Sequence, residues 1–284
     1  MIPKKIGLAL GGGGARGLAH IGVIKALVEN GIDISFIAGS SMGALVGGWY
    51  AATKDINSLE NIFLDGKKTE ILKISKILKK KSDNQLKNDL VDQILKDNFK
   101  DTKIEQCQIP FRAIATDIKN GDEIVLKEGS LSEAVRASIN LPIVFNPVSL
   151  GDKLLIDGSF SNPLPADVVK EMGAEFIIAV DVSSKWIDFP FKQTGWWQVF
   201  SLISNVLSAA EYQLAKPHIE SADLILRPTV LNFGWFDFGM APEIIRAGAK
   251  ETKLNLKLIF DKTGYPEPAK TPFEKLLDFL SGQE

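Results

Sequence analysis

The chain has 284 residues, 45% hydrophobic and 24% charged, with a formal net charge of −2. That length can bury a sizeable core and reads as one α/β domain over 1–284, while the near-neutral charge excludes a global pull toward nucleic acid, which is not expected as a partner. Cys107 is the only cysteine, which excludes an intrachain disulfide and a cysteine-built metal site, suits a reducing compartment and is expected to be a buried, inert thiol.

Lys5 to Leu10 reads as a buried strand, too short an apolar run to be a signal peptide, and Gly11 to Gly14 as a turn. A helix is predicted from Ala15 to Glu29, stopped by Asn30-Gly31, and a second strand from Ile34 to Ala38. That strand feeds Gly39-Ser40-Ser41-Met42-Gly43 and a helix through Ala52. Strand, helix, strand, helix implies a mainly parallel sheet with right-handed crossovers. From about 55 to 100 the pattern is helical and lysine-rich, which suggests a helical insertion or cover, with a lid as one reading. Strands are expected at Phe111 to Thr116, Glu123 to Leu126, Lys153 to Ile156 and Phe176 to Val182, and a helix at Leu131 to Ser138. Helices from Trp196 to about Ala215 and Pro242 to Phe260 flank a strand at Asp223 to Leu226, before a short terminal helix. No apolar stretch is long enough to span a bilayer, so a cytoplasmic protein is expected.

Gly-x-Ser-x-Gly suits a strand-to-helix turn so tight that the serine backbone is strained and its neighbours must lack bulk, which pushes the hydroxyl out at the sheet edge. Ser41 is therefore the candidate nucleophile, with Gly39 and Gly43 as its elbow. The earlier run, Gly12-Gly13-Gly14-Ala15-Arg16-Gly17, also satisfies the dinucleotide fingerprint Gly-x-Gly-x-x-Gly. That fingerprint wants an acid at the end of the second strand, whereas Asp33 precedes the strand and Gly39-Ser40-Ser41 occupies its end. In an ester-hydrolysis reading the same glycines offer backbone N–H groups to an oxyanion. Arg16 either fixes that loop and adds positive potential, or forms a salt bridge on a helix surface.

A serine nucleophile needs a base, and the two histidines are poorly placed to supply one. His20 lies in the first helix and reads as a packed or hydrogen-bonded structural residue, and His218 follows Pro217 near the end of a long helix. A carboxylate acting directly on the hydroxyl is the alternative. Asp157 leads, because Leu154-Leu155-Ile156-Asp157-Gly158 carries an acid from a buried strand into a turn at its carboxyl end, where α/β sites collect. Asp117, Asp152 and Asp181 also lie near strand ends, and Asp-Gly is common in plain Asx turns.

Four blocks together resemble the patatin-like phospholipases: Gly11 to Gly17 with Arg16, Gly39 to Gly43 with Ser41, Ala137-Ser138 through Pro142, Phe145 and Pro147, and Asp157-Gly158. They span roughly residues 5 to 185. The resemblance implies a three-layer α/β/α fold and a lipid acyl hydrolase, a serine esterase without metal or cofactor. Residue by residue it implies Ser41 as nucleophile, Asp157 as its base, and Gly12, Gly13 and Gly14 with Arg16 as the oxyanion hole. Ser159 stands where the family often has a second glycine. Phospholipid, lysophospholipid or another fatty-acyl ester is the implied substrate class.

Between Lys67 and Lys81 seven lysines face one glutamate while Ile71, Leu72, Ile74, Ile77 and Leu78 recur at helical spacing, which describes either a basic amphipathic helix for an anionic bilayer or a solvated cover. Trp186 to Phe191 with Trp196, Trp197 and Phe200 is a second segment suited to an interface, with a core-packed loop or dimer contact as the alternative. Peripheral contact with the inner membrane face is expected through 67–81 or 186–200. The competing functional reading is a lipid- or nucleotide-binding regulatory protein with little hydrolysis.

Overall fold

The computed structural model describes residues 2–64, 84–142, 144–183 and 196–268, without the side chains of 84–87, 90 and 196–205. The basic segment 67–81, most of the aromatic segment 186–200 and the terminal helix all lie outside the described residues.

Among the described residues a central sheet of eight strands carries the fold: β1 Ile6–Leu10, β2 Ile34–Ser40, β3 Phe111–Asp117, β4 Glu123–Leu126, β5 Val148–Leu150, β6 Lys153–Asp157, β7 Phe176–Val180 and β8 Leu224–Leu226. Hydrogen bonds link them in the order β5-β6-β3-β2-β1-β7-β8, with β4 added to β3. The pairings among β3, β2, β1, β7 and β8 are parallel, and those of β3 with β4, β3 with β6 and β5 with β6 are antiparallel. The helices are α1 Ala19–Glu29, α2 Met42–Thr53, α3 Ile56–Leu64, α4 Asn84–Phe99, α5 Leu131–Ser138, α6 Ala166–Glu171, α7 Trp196–Ile219 and α8 Ala241–Thr263.

Strand periodicity divides the core into two layers. In β1, Ile6, Leu8 and Leu10 join the larger cluster under α1, α2 and α5, and Ala9 faces the other way. In β7, Phe176, Ile178 and Val180 alternate likewise with Ile177 and Ala179. The second face is built largely from small residues, Ala9, Ala38 and Ala179, which lets Val168 and Val169 of α6 pack close to the strands. This is an α/β sheet flanked by helices, as expected, with details that differ. The predicted helix at Ala15 opens as a 3-10 turn over Gly14–Leu18, because Gly13 and Gly14 hold positive φ and the Ala15 N–H donates to the Trp235 carbonyl. Helix α7 runs past Ala215 and takes in Pro217 and His218. Helix α6 and strand β5 are too short to leave a periodic signal.

The placement of β6 matters most. In β3, Ile114 and Ala115 pair with β4 on one edge, while Phe111 to Ile114 pair with β2 and Ala115 to Asp117 with β6. A strand has two edges, so β2 and β6 lie end to end along the same edge of β3. Since β2 is parallel to β3 and β6 antiparallel, their carboxyl ends, Ser40 and Asp157, meet head to head.

Candidate active site

Ser41 sits at that junction, as the residue just before α2. Its backbone has φ +53° and ψ −123°, a conformation costly for a residue with a side chain and held here by its surroundings. Gly39 and Gly43 make the bend possible: a methyl at Gly39 would run into the Gly43 backbone, and one at Gly43 into the Leu10 carbonyl. The Ser41 N–H donates to the buried Ser138 hydroxyl of α5 at 3.0 Å, which fixes the elbow from a second element.

The Ser41 hydroxyl donates to Asp157 Oδ2 at 2.6 Å, and Asp157 Oδ1 accepts from the Ser159 N–H at 2.9 Å. Asp157 is 1% exposed. Burial pushes its carboxyl up from 3.8 to about 6, with the bonds from Ser41 and Ser159 pulling the other way. A carboxylate with that pKa is ionised at neutral pH and still a better proton acceptor than a solvated aspartate. The 137–147 block holds this strand end: the Asp157 N–H donates to the Asn140 carbonyl, and Asn140 Nδ2 reaches the Leu155 carbonyl at 3.2 Å.

The glycine loop borders the same place, but its groups divide. The Gly12 N–H donates to the Pro163 carbonyl at 3.0 Å and is spent on the loop's own architecture. Gly14, held at φ +58°, lines the cavity together with Ser41 and Asp157. Of the expected oxyanion glycines, Gly14 borders the cavity, and Gly13 precedes it in the loop without lining the wall. Arg16 follows its loop-fixing reading. It is fully buried, so it is no surface salt bridge, and it is absent from the cavity wall. Its Nε donates to the Gly13 carbonyl at 3.3 Å and its Nη2 to Ser208 Oγ at 3.0 Å, so it braces the loop from behind.

Both histidines are structural. His20 is completely buried, its Nε2–H donates to the Gly11 carbonyl at 2.7 Å, and burial lowers its pKa to about 4. His218 bonds Asp167 Oδ2 at 2.8 Å through Nδ1, away from Ser41. The other strand-end acids are occupied elsewhere: Asp117 accepts from the Lys119 N–H, and Asp181 from Ser183 and Arg227. Cys107 is only partly buried, though that burial raises its thiol to about 11 and leaves it inert at neutral pH. Among the described residues no three His, Cys, Asp or Glu side chains group as a metal centre.

From Ser41 and Asp157 an apolar cavity of about 160 Å³ extends under α3 and α4. Leu45, Trp49, Leu95, Phe99, Leu141 and Phe145 are among its walls. The helical insertion therefore contributes the cavity's far side rather than lying apart from the site. Trp235, Phe236 and Phe238 close it from the C-terminal half. Trp235 also accepts from Ala15 and donates through Nε1 to Ser208. These three, with Ser208 and Glu211, are the site neighbours that sequence reasoning missed; the Trp-Phe cluster between β8 and α8 is the signal that points to the first three.

A serine at a strained elbow beside a buried carboxylate and an apolar cavity defines a class of α/β protein, and the comparisons agree with it. The chain matches the model of the family described as Patatin-like phospholipase over residues 8–170, and it belongs to that family. It is 32% identical over 290 residues to Lysophospholipase NTE1 of Candida glabrata, covering 93% of this chain and 17% of that protein. Patatin-like phospholipase domain-containing protein 7 of Rattus norvegicus is 32% identical over 271 residues, covering 86% of this chain and 20% of its own length. The chain thus spans about a fifth of these curated relatives. VipD from Legionella pneumophila shares the fold, with a TM-score of 0.50 at 12% identity over 90% of this chain and 67% of that one. Among the described residues no helix is long and apolar enough to cross a membrane.

Proposed function

We propose that the chain hydrolyses fatty-acyl esters of the phospholipid or lysophospholipid class through a Ser41 and Asp157 dyad, without metal or organic cofactor. The observation that carries this reading is the 2.6 Å hydrogen bond from Ser41 Oγ to a fully buried carboxylate at the end of an apolar cavity. Relatives named lysophospholipase and phospholipase support the substrate class.

The chemistry follows from the geometry. Ser41 Oγ attacks the ester carbonyl carbon as its proton passes to Asp157 Oδ2. The carbonyl oxygen takes up the negative charge and is held by the Gly13 and Gly14 N–H groups, with the α2 amino terminus adding positive potential at Ser41. Collapse of the tetrahedral intermediate breaks the ester bond, and Asp157 returns the proton to the departing alcohol. Water then attacks acyl-Ser41, Asp157 takes its proton, and the fatty acid leaves as Ser41 recovers its hydrogen. The cavity removes the acyl chain from water and excludes competing solvent from the dyad. Access to the ester from a bilayer surface is assigned to 67–81 or 186–200, as above.

The test is fatty-acid release from lysophosphatidylcholine micelles and phosphatidylcholine vesicles by native protein and Ser41→Ala. Release by the native protein alone is expected. No release from either lipid, or equal release by the variant, contradicts the reading.

A further inference from the structure

Behind the dyad lies a second buried acid that the reaction above does not use. Glu211, on α7, is 3% exposed, and both its carboxyl oxygens lack a hydrogen-bond partner among the described residues. Its nearest cation, Arg16 Nη2, stands 3.9 Å from Oε2, within ion-pair range but beyond hydrogen-bond distance, while Arg16 bonds Gly13 and Ser208 and leaves its Nη1 without a partner among the described residues. Ser159 Oγ is also buried without a partner. The two groups are neighbours: a methyl on Gly12 would collide with the Ser159 hydroxyl and come within 3.1 Å of Glu211 Oε1. Ser159 in turn already touches Asp157 through its N–H.

We propose that Glu211 is a positioning residue for Asp157, a buried acid that turns the Ser159 hydroxyl toward the Asp157 carboxylate. The inference rests on the dyad reading. A hydroxyl has one hydrogen and two carboxyls compete for it. When Glu211 keeps its proton it donates to Ser159 Oγ, and the serine hydrogen is free to serve Asp157. When Glu211 ionises, the serine hydrogen is drawn to Glu211, and Asp157 loses a donor and gains a negative neighbour. The charged groups facing Glu211 are Arg16 from the glycine loop, Asp157 at the end of β6 and Asp181 after β7. Burial has the largest effect: it lifts Glu211 to about 8 despite Arg16 and the neighbouring Ser159 hydroxyl, with Asp157 and Asp181 adding to the rise. Burial thus favours the protonated acid at neutral pH. Ser159 is what links the two carboxyls.

The experiment measures the rate of fluorophosphonate labelling of Ser41 between about pH 5 and 9 in native protein, Glu211→Gln, Glu211→Ala, Ser159→Ala and the Ser159→Ala, Glu211→Ala double variant. Glu211→Ala is expected to move the acid-limb midpoint upward by about one pH unit, because the Asp157 anion loses an aligned donor. Glu211→Gln, which mimics the neutral acid, keeps the native midpoint. Ser159→Ala shifts the midpoint upward, and adding Glu211→Ala changes nothing further. A native midpoint in Glu211→Ala overturns the proposal, as does its full shift persisting on top of Ser159→Ala. So does a lowered midpoint in Glu211→Gln, the signature of a native anion. If Glu211→Ala fails to fold, Glu211→Gln against Ser159→Ala still decides between the neutral acid and the anion. Failure of the native protein to label, or labelling that survives Ser41→Ala, sinks the dyad reading itself and the proposal with it.

Discussion

Replacing Asp157 with asparagine should abolish turnover and make the fold more stable. Burial lifts the Asp157 carboxyl from 3.8 to about 6, so the folded chain binds this proton more tightly than the unfolded chain does. Stability contributed by this group is accordingly lost as pH rises from about 4 to about 6, and the deficit is constant above that. At about 1.4 kcal/mol per pH unit, the ionised carboxylate costs the native state ~3 kcal/mol at neutral pH. Asparagine removes the buried charge, and its Oδ1 can still accept from the Ser159 N–H. Part of the gain is offset by the weaker bond from Ser41, which leaves a net stabilisation of about 1–3 kcal/mol. Equilibrium urea unfolding at neutral pH and again near pH 4 measures it. The reasoning is refuted if Asp157→Asn is less stable than native protein at neutral pH, or if its advantage fails to shrink on acidification.

Gly43→Ala should cost about 1–3 kcal/mol, because its methyl meets the Leu10 carbonyl and approaches Gly11 O to 2.9 Å, and it should displace Ser41 enough to stop ester hydrolysis; thermal melts and a chromogenic ester check both. Leu95→Trp fills the apolar cavity, so hydrolysis of long-chain esters should fall about tenfold while acetyl esters change by about twofold or less, as a chain-length series would show. His218 is raised above its ordinary 6.5, chiefly by its hydrogen bond to Asp167, so its stabilising contribution is complete below that value and is lost as pH rises through the folded pKa. His218→Gln should therefore destabilise the protein more at pH 6 than at pH 8.5, read from paired urea unfolding curves.

What the sequence made legible is local. Gly39, Ser41 and Gly43 announce an elbow because the motif lies within five consecutive residues, and Asp157 is visible because an acid leaves a buried strand into a glycine. Their meeting is less visible: it depends on β6 running antiparallel along the same edge of β3 that β2 occupies, and no periodicity records which edge a strand joins. Arg16 left two readings open for a related reason. A charge in the first turn of a helix reads as solvated, and its burial becomes sensible only beside Ser208 and Glu211, almost 200 residues later. Those two residues lie on one face of α7 among apolar neighbours, where a buried acid looks like any polar position of an amphipathic helix. The Trp235 to Phe238 wall was hidden likewise, since loops carry no period.

Incubating the native protein with a long-chain fluorophosphonate and mapping the adduct by peptide mass spectrometry tests the central claim most directly. A single adduct on Ser41, absent from Ser41→Ala and strongly reduced in Asp157→Asn, is the predicted result. An unmodified Ser41, or an adduct on a different serine, would contradict the account.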